Sequence, residues 1–146
     1  MFKKFISILI FITSFVLVNN FKLIRSVAEC YMGDSEMCEE KGKHYFSKSD
    51  SSSDLFISIQ LLTKGCELES PESCAHLGMI LMKKEGTINE AKEYLSKSCK
   101  LRSKKGCFGL GMIYEEVLNE KAKAQDAYNN SCRFGFKKAC DIKLEI

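Results

Sequence analysis

Apolar positions along the chain follow two patterns. Phe5 to Val18 is an apolar run of 14 residues broken only by Ser and Thr. Beyond it the apolar positions recur at helical spacing. Ser58, Ala91 and Ala124 each stand four residues before a large side chain (Leu62, Leu95, Tyr128), and a cysteine follows four later again. Residues four apart share a helix face, so the pattern predicts three first helices in one register. A second set begins at the next cysteine: Cys74-Ala75-His76-Leu77-Gly78-Met79-Ile80-Leu81 and Cys107-Phe108-Gly109-Leu110-Gly111-Met112-Ile113-Tyr114. The shared Leu-Gly-Met-Ile marks a second helix in each unit. A helix-interior Gly costs about 1 kcal/mol against Ala. Its recurrence at Gly78 and Gly111, with Gly42 in register, predicts close helix–helix approach.

The cysteines set the period. Cys30, Cys38, Cys66, Cys74, Cys99, Cys107, Cys132 and Cys140 form four pairs, each separated by eight residues, with steps between pairs of 36, 33 and 33. A fixed period of this length is the mark of a repeat array. The regular spacing favours pairing each cysteine with the one eight residues later. In one straight helix such residues lie about 12 Å apart, whereas a disulfide needs Cα atoms within about 7 Å. The partners must therefore sit on two helices joined by a tight turn. Ser70 and Pro71 suit the cap and first position of a second helix. Asp34 and Ser103 are good caps at equivalent positions, and Phe136, after Gly135, is not. Thr87 and Glu90 have capping-box spacing. Ser47 to Ser53 is expected to form an enlarged loop that explains the longer first step.

The leading apolar run changes the reading of charge. Lys3 and Lys4 precede it, and Ser26-Val27-Ala28 resembles a small-x-small cleavage site. Residues 1–28 are read as a signal peptide, cleaved after Ala28, and 29–146 as the repeat domain. The apolar run is short for a spanning helix, which needs about 20 residues. Membrane contact is therefore expected only through this segment, were it left uncleaved. Removing Lys3, Lys4, Lys22 and Arg25 takes the net charge from +3 to −1. No basic field remains to suggest nucleic-acid binding. The location implied is periplasmic or extracellular, where an even cysteine count forms disulfides. Cleavage at Ala28 leaves Cys30 almost terminal, and the chain stops soon after Cys140. Two complete central units with partial terminal units are expected.

Four Cys-x7-Cys pairs, the run Ala91-x-x-Tyr94-Leu95-x-Lys97-x-Cys99 and Gly106-Cys107-x-x-Leu110-Gly111-x-x-Tyr114 together resemble the Sel1-like repeat proteins, which are related to tetratricopeptide repeats. The likeness is to their cysteine-rich secreted branch, the Helicobacter cysteine-rich proteins, and covers residues 29–146. It implies an all-α fold, a short right-handed superhelix of disulfide-stapled helix–turn–helix repeats with a concave inner face. It also implies one of two activities, an interaction module or penicillin binding with weak β-lactamase activity. The loop after Tyr114 departs from the family pattern in lacking its glycines.

Catalytic chemistry finds little support in the residues. No Ser or Thr is followed three residues later by Lys, and Ser-Asp-Asn and Lys-Thr-Gly are absent. The serine β-lactamase machinery therefore has no counterpart here. The catalytic residues are unknown, and no cofactor is implied. No metal site is implied either: the 2 histidines, His44 and His76, fall in different units, too few for a zinc hydrolase. Met79 and Met112 read as core, as do Tyr94 and Tyr128. The candidate binding face is the exposed side of the first helices: Gln60 and Lys64, Glu93 and Lys97, Asp126 and Asn130. The ligand expected there is a peptide, a protein or a cell-wall-derived fragment.

Overall fold

The computed structural model describes residues 24–48, 52–84 and 86–145. Most of the predicted signal peptide, residues 1–23, lies outside them. The described chain is all-α. Residues 24–31 form α1. It is followed by α2 (Ser35–Ser47), α3 (Ser52–Glu67), α4 (Pro71–Met82), α5 (Ile88–Lys100), α6 (Lys104–Met112), a π-helical turn (Ile113–Val117), α7 (Lys121–Arg133) and α8 (Lys137–Cys140). Among the described residues no helix is long and apolar enough to cross a membrane.

The helices pair as four hairpins, α1/α2, α3/α4, α5/α6 and α7/α8. Disulfides join Cys30 to Cys38, Cys66 to Cys74, Cys99 to Cys107 and Cys132 to Cys140, with Cα–Cα distances of 4.4 to 4.8 Å. One turn geometry recurs beside every staple. The third residue after each first cysteine has positive φ: Gly33, Glu69, Arg102 and Gly135. Its N–H reaches the carbonyl of that cysteine, and the next N–H reaches the residue before the cysteine. Examples are Glu69 to Cys66 (3.1 Å) with Ser70 to Gly65 (2.9 Å), and Arg102 to Cys99 (2.9 Å) with Ser103 to Ser98 (3.0 Å). This is the Schellman arrangement, which satisfies the last carbonyls of a helix.

The residue closing each such turn also starts the next helix. Asp34 accepts from the backbone N–H groups of Glu36 and Met37, Ser70 from Ser73, and Ser103 from Gly106. Phe136 offers no such bond, and α8 is only 4 residues long. Thr87 does not form the expected capping box. Its hydroxyl donates backward to the carbonyls of Leu81 and Lys84, at 2.7 and 2.9 Å, and so closes the end of α4 rather than the start of α5.

Stacking of one hairpin on the next follows the glycines. A Cβ on Gly42 would lie 2.6 Å from Leu62 Cγ, one on Gly78 2.5 Å from Leu95 Cγ, and one on Gly111 2.5 Å from the Tyr128 ring. Each second helix thus receives the large side chain of the following first helix. The core runs through these contacts, with Leu62, Leu77, Leu95 and Ile113 buried at its centre. Serines tie the layers at the same seams. Ser58, Ser98 and Ser131 donate to the carbonyls of Gly42, Pro71 and Lys104, at 2.8, 2.6 and 2.7 Å.

The serine-rich segment differs from the sequence expectation. α2 runs to Ser47 and α3 begins at Ser52, so the serine-rich loop is shorter than expected. The Ala28–Glu29 bond lies inside α1, where Ser26 is buried, Val27 packs against the Cys30–Cys38 cluster, and Arg25 pairs with Glu29.

Candidate binding face

The three first helices place the candidate face in a repeating way. Gln60, Glu93 and Asp126 are exposed, and Lys64, Lys97 and Asn130, one turn later, are half-buried. These positions lie opposite the buried row Leu62, Leu95 and Tyr128, so burying one row exposes the other. The later positions are partly engaged already. Lys97 does not pair with Glu93. Its ammonium donates to the Cys66 carbonyl of the preceding hairpin at 2.6 Å, where the C-terminal end of α3 favours a cation. Lys64 pairs with Glu67 at 3.4 Å, and Asn130 accepts from Arg133 at 3.4 Å.

Two open pockets adjoin along this face. The first, about 330 Å³, is lined by Lys92, Glu93, Ser96, Lys97, Lys100 and Tyr114. The second, about 210 Å³, has Lys123, Asp126 and Asn130 on its polar side and Leu110 and Ala127 among its apolar lining. Tyr114 lines both. The structure thus brings Glu93 and Lys97 together, and Asp126 and Asn130 together, while Gln60 and Lys64 line neither pocket.

Tyr114 holds this place because the chain does not turn sharply after α6. It sits in the π-helical turn, where the Leu118 N–H reaches the Ile113 carbonyl five residues back at 3.1 Å. Asn119, in register with Gly86 of the previous unit, supplies the positive φ that the missing glycine would have given; Asn tolerates this conformation better than most residues. Lys123 stands 5.6 Å from the centre of the Tyr114 ring and pairs with Glu120, which raises its pKa. Sequence reasoning used Tyr114 only as part of the repeat motif. The Gly-Cys-x-x-Leu-Gly-x-x-Tyr run was the available signal, since it sets this aromatic apart from the Leu and Met core.

Tyr128 is core, with its hydroxyl donating to Glu115 at 2.7 Å. Burial, with the Glu115 carboxylate beside it, holds the phenol protonated well above the ordinary tyrosine range. Tyr94 is half-buried against the main core. His44 is exposed and lies edge-on to Tyr45. His76 is half-buried on α4, and burial, then Lys105 and Lys43, lower its pKa, with Glu72 and Glu39 acting oppositely. Among the described residues no three His, Cys, Asp or Glu side chains converge as a metal site.

No protein-family model matches the sequence, and no curated protein matches it. Solved structures do. A Sel1 repeat protein from Oxalobacter formigenes superposes with a TM-score of 0.64 at 19% identity, over 82% of this chain and 94% of that one. Helicobacter pylori cysteine rich protein B superposes at 0.63 with 26% identity, over 85% and 93%. The described helices, stacked hairpin on hairpin through glycine seams and each hairpin closed by a Cys-x7-Cys bridge, therefore have the fold of the Sel1 repeat protein and of the cysteine-rich protein that superpose on them.

Proposed function

We propose that the protein is an exported interaction module whose first-helix face takes an extended segment of a partner, a peptide or a cell-wall-derived fragment. The observation that carries this reading is the pair of adjoining open pockets joined at Tyr114. Charged side chains rim both, with the Ser96 hydroxyl in the first and the Asn130 amide in the second, and the second has apolar lining. Such a surface suits a ligand with alternating polar and apolar groups, held by several weak contacts. An array whose hairpins are individually closed by disulfides presents it on a rigid frame, which lowers the ordering cost of binding. Export, with residues 1–28 as the leader, is supported by the basic start, the apolar run and the complete pairing of the cysteines.

Three measurements test the reading. Purified, oxidised protein is panned against displayed peptides, and the selected peptides are re-measured on Lys92→Glu and Asp126→Arg variants. Both substitutions lie at pocket rims and are expected to weaken binding; binding unaffected by either would remove the face from consideration. N-terminal sequencing of protein recovered outside the cytoplasm is expected to begin at Glu29. An intact Met1 in a soluble cytoplasmic fraction would overturn export. Slow β-lactam hydrolysis is the alternative that the family resemblance implies. Nitrocefin turnover above that of a matched catalytic-null scaffold would replace the binding-module reading with it.

A further inference from the structure

The second-helix side of the array carries a different kind of site. An apolar groove of about 330 Å³ there is lined by His76, Met79, Met82 and Met112, with Phe46 and Ile80 closing its walls and Lys83 at its edge. His76, Met79 and Met82 follow one another at three-residue intervals along α4, so each is a neighbour of the next on the helix surface. Met79 and Met112 occupy the same register position, five residues after the second cysteine of adjacent units. Both line this groove, where α4 packs on α6. The three thioethers are half-buried rather than sealed, while Leu77, Leu81 and Leu110 fill the core beneath them. His76 Nε2 is buried without a hydrogen-bond partner. An orphaned buried nitrogen calls for a partner, and a water or an ion can supply one.

We propose that His76, Met79, Met82 and Met112 form a binding site for a soft monovalent metal ion, copper(I) or its redox-inert analogue silver(I). Thioether and imidazole are the donors that such ions prefer, and they are poor or incomplete donors for calcium, magnesium or a tetrahedral zinc centre. Thiolates are excluded, because every cysteine is in a disulfide. Soft-metal chemistry in the described chain therefore falls to its methionines, and 3 of the 6 in the sequence line this one groove. A monovalent ion needs no carboxylate to balance it, which suits a neutral donor set. Lys83 lines the groove edge and is exposed, and a lysine so placed can keep its charge in water. Helical spacing alone marks Met79 and Met112 as core, and in the sequence the two histidines are weighed only as zinc ligands.

The test uses the full oxidised protein and silver(I), titrated against a competing chelator, with methyl signals of isotope-labelled methionine followed by NMR. The expected result is one ion bound, with the Met79, Met82 and Met112 methyls shifted and the Met37 methyl unmoved. Outer-sphere losses already cost about 10–100-fold in metal affinity, so His76→Gln or the paired Met79→Leu/Met112→Leu change is expected to weaken binding at least about tenfold. Met37→Leu is expected to leave it unchanged. Leu keeps nearly the volume of Met, so the paired variant retains the fold and the shape of the groove while losing sulfur. Silver affinity that survives in the paired variant would overturn the site. So would an absence of silver binding alongside uptake of an apolar peptide that the Leu variant keeps, which would make the groove a docking surface instead.

Discussion

At the scale of single residues, the turns and the buried tyrosine make the sharpest demands. Glu69 and Arg102 hold positive φ, at 63° and 66°, in turns where the terminal units use Gly33 and Gly135. A non-Gly residue in this conformation costs about 1–2 kcal/mol, while Gly gives back about 0.5–1 kcal/mol in backbone entropy. Glu69→Gly and Arg102→Gly are each expected to stabilise the oxidised protein by about 0.5 kcal/mol, seen as a higher urea midpoint at unchanged slope. Lower midpoints would show that side-chain contacts, such as Arg102 against the Phe134 ring at 5.5 Å, outweigh the strain. Tyr128 presents the opposite case. It stands where Leu62 and Leu95 stand in other units, yet its hydroxyl finds Glu115 on the π-helical turn. Tyr128→Phe removes that bond while keeping the ring over Gly111, and about 1 kcal/mol of stability is expected to go with it. A shift of the Tyr114 ring signals in the same variant would show that the bond also positions the pocket-forming turn.

Elements were legible where the register repeats and illegible where it breaks. The cysteine spacing and the small-to-large pattern located α3 to α7 and their turns, because one geometry solves the same problem four times. Nothing in Ile113-Tyr114-Glu115-Glu116-Val117 marks a π-helical turn. Its form depends on tertiary contacts, above all the Tyr128–Glu115 bond and the packing of Ile113. Thr87 misled because a hydroxyl that can cap the helix ahead can equally close the helix behind. Of the candidate face, the exposed row was readable from helical period alone. That Lys97 is spent on the Cys66 carbonyl was not, since the contact spans 31 residues. The seam glycines decide a question of sign at this scale. Helix propensity says that Gly→Ala should stabilise by about 1 kcal/mol. At Gly78 the new methyl would meet Leu95 Cγ at 2.5 Å and the Ala91 carbonyl at 3.2 Å, and backbone cannot move aside as a side-chain tip can. Overpacking costs about 1–3 kcal/mol, so Gly78→Ala is expected to destabilise. A stabilised variant would mean that α4 and α5 slide apart without loss.

For the whole molecule, stability is a sum over hairpins and the interfaces between them, and disulfides enter it unequally. By loop-closure arithmetic each bridge, closing eight intervals, contributes about 2.5 kcal/mol through the unfolded chain. The four are equal on that account, since each closes a loop of the same length. Their positions in the array are not equal. Cys99–Cys107 holds a hairpin packed between two others, with Leu95 set against both Gly78 and Gly109. Losing that bridge is expected to lower the one cooperative transition of the array by the full amount, about 2.5 kcal/mol, because neighbours on both sides unfold with it. Cys132–Cys140 holds α8, which has 4 residues and no side-chain cap, and beyond it Leu144 is tied to the Gln125 amide at 2.8 Å and packs at the edge of the Ala124, Tyr128 and Ala139 cluster. In a quasi-one-dimensional array an end unit can open alone. Replacing Cys132 and Cys140 by Ala is therefore expected to speed hydrogen exchange in 137–145 while the main transition moves by less than half as much as in the Cys99/Cys107 double variant. Equal shifts from the two replacements would mean that the hairpins fold as one indivisible block. The first-helix face would then be disturbed by damage anywhere in the chain, whereas an array that frays from its end keeps the pockets at Tyr114 intact.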